Sequence, residues 1–400
     1  MELTEFMEKH GALPEQISME NCLRELLDGM EQGLAGQGNI PMLASYLTIQ
    51  SQLQPGLSCC VVDAGGTNLR TARAKHTGAG AWELEKMTVC PMPGTEGELD
   101  YAGFYKAMAA PVRALGACER VGLCFSFNVT LERNLDGKLD GWCKEIRAPE
   151  AVGKPVGASL QAALGADCHS VRVLNDSVAA MLGAGDVQVG VILGTGINVC
   201  YLERCSNISK IPSDLKSDTM IISTEIGEFD GVPESDFERA VIAASDMPQS
   251  AHGEKQCSGG YLGDVIGEVW RTAAEEGLLP ETFRESQPTL AGVSRFLAEE
   301  PGAGIPENKD AAALAKICIT RAAKIAALLC AGPILKAWDG EKTLPVAVEG
   351  SQYWKLTGFR EAFHRFLDEL LEPRGIRYEI VKSENTCLIG AAMAAFAEPM

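Results

Sequence analysis

Two glycine turns, each directly after a run of residues typical of a strand, are the part of this 400-residue sequence most suited to chemistry. One is the DAGGTNLR segment at 63–70, and the other is the LGTGIN segment at 193–198. The first turn is neither a dinucleotide fingerprint nor a Walker loop, because it lacks the G-x-G-x-x-G spacing and the Gly-Lys-Ser/Thr sequence. Together the two turns indicate two phosphate-binding loops in two similar half-structures.

The first turn carries the groups that phosphate binding needs. Gly65 and Gly66 are free to take positive φ, and glycines let backbone N–H groups approach a phosphate closely. We expect Arg70 to neutralise phosphate charge and Asp63 to hold Mg²⁺ through water. A plain hairpin explains the same Gly-Gly pair, so this turn alone does not decide between the two interpretations.

The second turn follows the same logic. Thr195 lies between Gly194 and Gly196, and its hydroxyl is available to a β- or γ-phosphate oxygen. A hairpin is again the alternative for this turn taken by itself. Two turns with matching context favour phosphate loops over two inert hairpins.

An acidic residue between the two turns is the candidate base. Asn175 and Asp176 directly follow the strand pattern at 171–174, and open α/β sheets bind ligands at the carboxyl ends of their strands. Phosphoryl transfer to an alcohol needs one carboxylate as proton acceptor, together with positioning and Mg²⁺. The alternative is that Asn175 or Asp176 only caps a helix that begins near Ser177.

The elements that must position these residues alternate between strand and helix. Strands are predicted around the first turn (57–74) and at 121–127, 171–174, 187–193, 199–203, 346–348 and 378–381. Helices are predicted at 3–46, 177–185, 311–331, 359–371 and 389–396, with helices and loops between 237 and 296. This alternation is typical of the α/β class, and the length favours two domains.

Composition restricts the partners. Because the net charge is −19, we expect no nucleic-acid or membrane partner, since both attract Lys and Arg. Residues 1–11 carry acidic side chains where a secretory signal has basic and apolar regions, and charged residues interrupt the apolar stretch at 311–331. The fourteen cysteines show no C-x-x-C pair and no zinc spacing, which predicts reduced thiols in a cytoplasmic protein.

The ordered motifs of the chain resemble those of the hexokinase family, in particular a bacterial-type single-unit hexokinase of the actin-like ATPase superfamily. The matching segments are 63–70 and 194–201 (the two phosphate loops), 125–127 and 141–144 (FSF and GWCK), 175–179 (NDSVA), 224–227 (TEIG), 254–263, 349–351 (EGS) and 390–392 (GAA).

The resemblance implies a role for each matching position. A hexose would be lined by Ser126, Cys143, Lys144, Asn175, Asp176, Asn198, Glu225 and Glu254. ATP would be held by Asp63, Gly65, Gly66, Thr67, Asn68, Arg70, Gly194, Thr195, Gly196, Gly350 and Ser351. Asp176 would accept the proton of the sugar's primary hydroxyl, and Lys144 would hold that hydroxyl and steady the developing charge.

Several positions depart from the family pattern. They are Cys143 for threonine, Asn128 for proline, Ser223 for asparagine, Ile226 for tryptophan, Glu349 for aspartate, and Leu388-Ile389 in a glycine-rich lead. Most of them lie in the sugar loops, so the sequence leaves open glucose, mannose, fructose or an amino sugar as the acceptor. A sugar sensor that binds hexose without transferring phosphate is the rival from another class.

The fold implied by the resemblance is a two-lobed actin-like (ribonuclease H-like) ATPase fold with a five-stranded mixed sheet and helices in each lobe. We expect a small lobe at 57–173 plus 384–400 and a large lobe at 1–56 plus 174–383. Hexose would bind in the cleft and MgATP on the large lobe. The expected reaction, the first step of glycolysis, converts ATP and D-hexose, glucose foremost, into ADP and hexose 6-phosphate. We expect a cytoplasmic monomer or homodimer.

Overall fold

A computed structural model describes residues 2–49, 53–78, 80–142, 146–215 and 217–400 of the chain. The strands are β1 (Leu43–Ala44), β2 (Ser58–Ala64), β3 (Asn68–Gly78), β4 (Ala81–Pro91), β5 (Arg120–Phe125), β6 (Asn128–Leu131), β7 (Gly137–Gly141), β8 (Ser170–Leu174), β9 (Val189–Leu193), β10 (Ile197–Arg204), β11 (Thr219–Ser223), β12 (Leu344–Glu349) and β13 (Tyr378–Val381). The helices are α1 (Leu3–Lys9), α2 (Met19–Leu34), α3 (Tyr101–Ala114), α4 (Val156–Leu164), α5 (Asp176–Gly183), α6 (Asp236–Ala244), α7 (His252–Cys257), α8 (Leu262–Glu275), α9 (Leu290–Leu297), α10 (Lys309–Ala337), α11 (Ser351–Lys355), α12 (Phe359–Leu371) and α13 (Thr386–Ala394).

The two large sheets repeat one arrangement. One has the order β4-β3-β2-β5-β8 and the other the order β1-β11-β10-β9-β12-β13. In each, a strand pairs antiparallel with its successor across a glycine turn and parallel with the next strand on its other side: β2 with β3 and β5, and β9 with β10 and β12. The expected mixed sheets are therefore present, but the second has six strands instead of five because β1 adds an edge to β11.

The prediction of helix over residues 3–46 was wrong for the last part of that range, where two glycines end the helix. Helix α2 ends at Leu34, and both Gly36 and Gly38 have positive φ, which a helix does not accommodate. The chain then enters β1 instead of a further helical turn. Strands β4, β6, β7 and β11 and helices α3 and α4 were not predicted. In β4 most side chains are exposed, so the sequence lacks the buried alternation that reveals a strand.

Helix α10 is the centre of the larger hydrophobic core. It is long and apolar enough to cross a membrane by length and composition, yet 89% of its most apolar window is buried inside the protein. Helices α2, α8 and α12 pack around it. Burial on all sides explains why the sequence of a core helix reads as apolar all round.

The last helix, α13, packs against both α5 and the face of the five-stranded sheet. Three glycines make this close approach possible. A Cβ at Gly122 of β5 would lie 3.1 Å from Ala391 Cα, one at Gly183 of α5 would lie 2.8 Å from Gly390 N, and one at Gly390 would lie 2.8 Å from Ala179 Cα. Every strand of that sheet lies between residues 58 and 174, whereas the predicted lobe boundaries themselves stay a prediction.

Candidate active site

The first glycine turn is a hairpin between β2 and β3. The Gly65 N–H donates to the Asn68 carbonyl at 3.0 Å, and Asp63 Oδ2 accepts a hydrogen bond from Arg70 Nε at 2.8 Å and a second from Nη2. Neither Gly65 nor Gly66 has positive φ, so the turn does not use the conformational freedom that these glycines offer. The turn is therefore a hairpin that carries Thr67 between the two strands, and its role as a phosphate loop stays a prediction.

The side chains around Asp63 test the predicted magnesium contact. Arg70 pairs with its carboxylate, and the Sγ atoms of Cys124 and Cys387 lie within 4.8 Å of it and of each other. Mg²⁺ prefers octahedral oxygen ligands, and thiols are not among them. The donor set at Asp63 therefore does not fit direct coordination of Mg²⁺, and the predicted contact through water stays a prediction.

The second glycine turn is also a hairpin, with the Gly194 N–H donating to the Gly196 carbonyl at 3.0 Å. A neighbouring glycine pair fixes it from outside. The Gly259 N–H donates to Gly194 O at 2.9 Å, and the Gly260 N–H donates to Thr195 O at 2.8 Å. The Thr195 side chain is exposed, as a phosphate contact requires.

The Gly350–Ser351 segment lies against this second turn. Gly350 has φ +120°, and a Cβ on it would lie 2.7 Å from Gly194 N and closer still to the Leu193 carbonyl. Only glycine fits a backbone conformation and a contact of this kind. Ser351 begins α11 directly afterwards, so the predicted adenosine motif and the second phosphate loop are brought together.

Asn175 and Asp176 stand at the carboxyl end of β8, where the sequence placed them. Asn175 is the N-cap of α5, and its Oδ1 accepts from Ser177 N at 2.8 Å and from Ser177 Oγ at 2.7 Å. Asp176 is the first residue of the helix and its side chain is half-buried. The capping alternative is correct for Asn175, and Asp176 Oδ1 also accepts from Ser177 N at 2.8 Å, so both side chains are held at the sheet's edge.

A polar network joins three of the predicted hexose residues, Asn175, Asn198 and Glu225, through Ser223. Asn198 Nδ2 donates to Glu225 Oε1 at 2.6 Å and to Ser223 Oγ at 3.0 Å. Ser223 Oγ donates to Glu225 Oε1 at 2.9 Å and lies 3.3 Å from Asn175 Oδ1. The network therefore runs from the end of β8 to the segment after β11.

Glu225 is held in an unusual conformation within this network. Its φ of 53° and ψ of 46° lie in the left-handed region, and its backbone N–H donates to Asn198 Oδ1 at 3.0 Å. The pKa of Glu225 is raised to about 7, chiefly by burial and also by the charges of Asp176 and Glu254, against the lowering effect of the hydrogen bonds from Ser223 and Asn198. Strain at a non-glycine residue of this kind marks functional sites.

Glu254, on the short helix α7, reaches the same place from the other side. Its Oε2 accepts from Ile197 N at 3.0 Å, directly after the second turn. A Cβ on Gly196 would lie less than 3.0 Å from that oxygen, and one on Gly227 would lie 2.9 Å from Glu254 Cβ. Two glycines therefore make room for this carboxylate beside Asn198 and Glu225.

The segment before the predicted lysine is anchored by aromatic rings. Trp142 packs edge-on against Phe127 at 5.0 Å and Phe104 at 5.2 Å between ring centroids, and its Nε1 donates to Ala148 O at 2.9 Å. Ser126, half-exposed after β5, donates its N–H to Ala64 O at 3.1 Å. The predicted residues Cys143 and Lys144 lie outside the described residues.

Sequence reasoning missed three residues of this region as contributors. Ser223 was noted only as a departure from a pattern, Ser177 was taken as a helix start, and Thr386 was not considered. Thr386 Oγ1 donates to Glu349 Oε1, which ties the end of β12 to the start of α13. The next residue, Cys387, lies with its Sγ 4.0 Å from Asp176 O. The only feature of the sequence that could have revealed Ser223, Ser177 and Thr386 is their position within or next to a recognised motif.

Two sheets that each carry a glycine hairpin at the equivalent strand define the two-lobed actin-like ATPase class of fold. Hexokinase family models match the chain over residues 4–185 and 188–397. Rice (Oryza sativa subsp. japonica) Hexokinase-1 is 30% identical over 426 residues, 92% of this chain and 85% of its own length. Rice Hexokinase-7 is 29% identical over 422 residues, covering 92% and 91%. The chain therefore belongs to the hexokinase family.

A solved structure shows the same fold. Hexokinase from Schistosoma mansoni, complexed with glucose, matches with a TM-score of 0.85 at 22% identity, over 99% of this chain and 100% of that one. The predicted family and fold class are confirmed. The bacterial type of unit stays a prediction.

Proposed function

We propose that this chain transfers the γ-phosphoryl group of ATP to the 6-hydroxyl of a D-hexose, with glucose the first candidate, giving ADP and hexose 6-phosphate. Family membership supports the reaction class. The single observation that carries the site assignment is the network of Asn198, Ser223 and Glu225, with Glu254 beside it and Asn175-Asp176 at its edge.

The side chains proposed to bind the hexose act as pairs of hydrogen-bond donors and acceptors. Each sugar hydroxyl can donate and accept, and carboxylates and amides satisfy neighbouring hydroxyls in pairs. Glu225 and Glu254 supply acceptors, while Asn175 and Asn198 supply amides; Ser126 is placed near the end of β5 as a further partner. Because Ser223 is shorter than the asparagine of the family pattern, the choice among glucose, mannose, fructose and amino sugars stays open.

Asp176 is the proposed general base. It accepts the proton of the 6-hydroxyl as that oxygen attacks the γ-phosphorus, and the bond from phosphorus to the ADP oxygen breaks. The first turn (Asp63 to Arg70), the second turn and the Gly350–Ser351 segment hold the nucleotide with backbone N–H groups and the Thr67 and Thr195 hydroxyls. Lys144 is proposed to hold the attacking hydroxyl.

Magnesium enters this proposal with the nucleotide. Mg²⁺ keeps several waters and binds mainly to phosphate oxygens in kinases, where it neutralises developing charge. No step is assigned to Asp63 as its ligand. Closing the cleft over the hexose would exclude water, which otherwise competes as acceptor. A cytoplasmic location and a monomer or homodimer stay predictions.

The test is a coupled ADP-release assay with MgATP and a panel of hexoses, run on the wild type and on Asp176→Asn. We expect hexose-dependent turnover that falls by about 10²–10⁴ in the variant. Asp186→Asn is the matched control, because Asp186 is an exposed carboxylate shortly after α5, and it should retain wild-type turnover.

A thermal-shift measurement with the same sugars distinguishes loss of catalysis from loss of folding or of sugar binding. If Asp176→Asn still gains melting temperature from hexose, the loss is in chemistry and not in folding. Wild-type protein that is stabilised by hexose but releases no ADP would replace the kinase by the sugar sensor. Full turnover in Asp176→Asn would remove Asp176 from the role of base.

A further inference from the structure

Three metal-ligating side chains converge next to the first phosphate loop. The carboxylate of Asp63 and the Sγ atoms of Cys124 and Cys387 all lie within 4.8 Å of one another. Asp63 and Cys124 are direct neighbours on the parallel strands β2 and β5, and Cys387 is the second residue of α13, which packs on these strands. Three different elements thus supply one potential ligand each.

The cluster is largely buried and is partly exposed at one of its three residues. Asp63 is 6% exposed and Cys124 is fully buried, whereas Cys387 is partly exposed. Arg70 bonds to Oδ2 of Asp63, and a carboxylate offers a second oxygen. Of the three donors Cys387 is the most exposed, so a cation would approach from its side.

The types of donor select the cation. Thiolate sulfur is a soft ligand that favours Zn²⁺ and similar metals, whereas Mg²⁺ and Ca²⁺ require oxygen. Zinc sites with three protein ligands keep the fourth tetrahedral position for water or another ligand. We propose that Asp63, Cys124 and Cys387 form a binding site for a thiophilic divalent cation of the Zn²⁺ class, distinct from the magnesium that accompanies ATP.

The alternative for the two cysteines is that they fill the core as small apolar side chains. It accounts for the packing of both, because Cys124 lies in an apolar cluster between the sheet and α13 and Cys387 packs against the same cluster. It does not account for the position of both Sγ atoms within 4.8 Å of the Asp63 carboxylate.

Occupation of this site would act on the neighbouring loop. A bound cation would share the Asp63 carboxylate with Arg70 and fix the start of α13 to β2 and β5. Cys387 Sγ lies 4.0 Å from Asp176 O, so a divalent charge would stand close to the proposed base. Binding also releases the thiol protons to solvent, because the thiolate is the ligand form.

Co²⁺ is the probe, because its thiolate bonds absorb light and Zn²⁺ can displace it. The whole chain is kept reduced with a phosphine, freed of metal, and titrated with Co²⁺ in the absence of nucleotide. We expect a thiolate-to-metal charge-transfer band that saturates at one equivalent, is abolished by Zn²⁺ and survives a large excess of Mg²⁺. This measurement does not depend on kinase activity.

Variants assign the band to the cluster. Cys387→Ser should lose about half of the absorbance per bound Co²⁺ and weaken binding by roughly tenfold or more, and Cys124→Ala should do the same. The partly exposed Cys205, remote in sequence from the cluster, gives the matched control Cys205→Ser, which should keep the wild-type titration. Circular dichroism checks that each variant is folded.

Three results would overturn the proposal. They are a wild type with no band, a band that is unchanged in folded Cys387→Ser, and a band that Mg²⁺ removes as readily as Zn²⁺. Loss of the band in Cys205→Ser would equally reject the assignment, because the thiolate would then come from another part of the chain.

Discussion

Replacing Gly196 by alanine should damage hexose binding while leaving the fold intact. The added Cβ would lie 3.2 Å from Glu254 Cδ and less than 3.0 Å from its Oε2. Because unstrained heavy atoms stay about 3.5–4.0 Å apart, the Oε2 atom must retreat by about 1 Å or more. Its 3.0 Å hydrogen bond from Ile197 N would then be lost. The obstructing atoms are the end of a flexible side chain, so the backbone need not move.

The cost follows from the bond that is broken. A hydrogen bond to a charged group contributes about 1.5–3 kcal/mol, which corresponds to roughly 10–150-fold in affinity. If Glu254 positions the sugar, KM for hexose should rise by that factor, while KM for ATP changes by less than about threefold. The melting temperature should stay within a few degrees of the wild type.

Gly194→Ala is the matched control in the same turn. Its Cβ would lie 3.6 Å from Gly350 Cα and 3.9 Å from Ser351 N, which is ordinary van der Waals contact. Hexose affinity, measured by calorimetry without nucleotide and by KM, should therefore be preserved in this variant. Wild-type hexose affinity in folded Gly196→Ala would refute the role assigned to Glu254, and equal losses in both variants would refute the steric argument.

Three further predictions concern stability and pH. Gly350→Ala should lower the free energy of unfolding in urea by several kcal/mol, because its Cβ meets backbone atoms, whereas Gly358→Ala, with open space around it, should cost only about 1 kcal/mol. Because the pKa of Glu225 is raised from 4.5 to about 7, its contribution to stability is present below pH 4.5 and lost as pH rises through 7. Hexose affinity should rise over the same interval as the acceptor carboxylate forms, and Glu225→Gln should flatten the calorimetric pH profile. Thr386→Val should lower the free energy of unfolding by about 1.5–3 kcal/mol by leaving Glu349 without its donor; an unchanged urea midpoint would contradict this.

The parts of the fold that sequence patterns predicted are those with strong local signals. The buried strands β8 and β9 and the amphipathic helix α12 are found at or within two residues of their predicted bounds. The two glycine turns join antiparallel strands of equivalent sheets, as the repeated strand, turn, strand pattern indicated. The two turns were readable because a hairpin depends on residues adjacent in the chain, whereas the phosphate chemistry assigned to them stays a prediction.

The parts that were missed depend on contacts between distant segments. Asp63 and Arg70 form a charge pair across the first hairpin. The sequence suggested separate roles, phosphate binding for Arg70 and a magnesium contact for Asp63, because residue type alone does not show that the two side chains pair with each other. The sequence drew attention to the turn glycines because glycine can take positive φ. In the structure, Gly196 instead leaves room for the side chain of Glu254, which is distant in sequence. Spatial requirements of this kind leave no periodic signal.

The close fit of α13 has a consequence for how the chain is made. The strand β2 and the helix that covers it are separated by about 320 residues, which a ribosome adds in roughly 15–65 s. During that interval the face of the five-stranded sheet that contains Val61 and Cys124 lacks its cover. We infer that this face of the sheet becomes packed only after α13 has been synthesised.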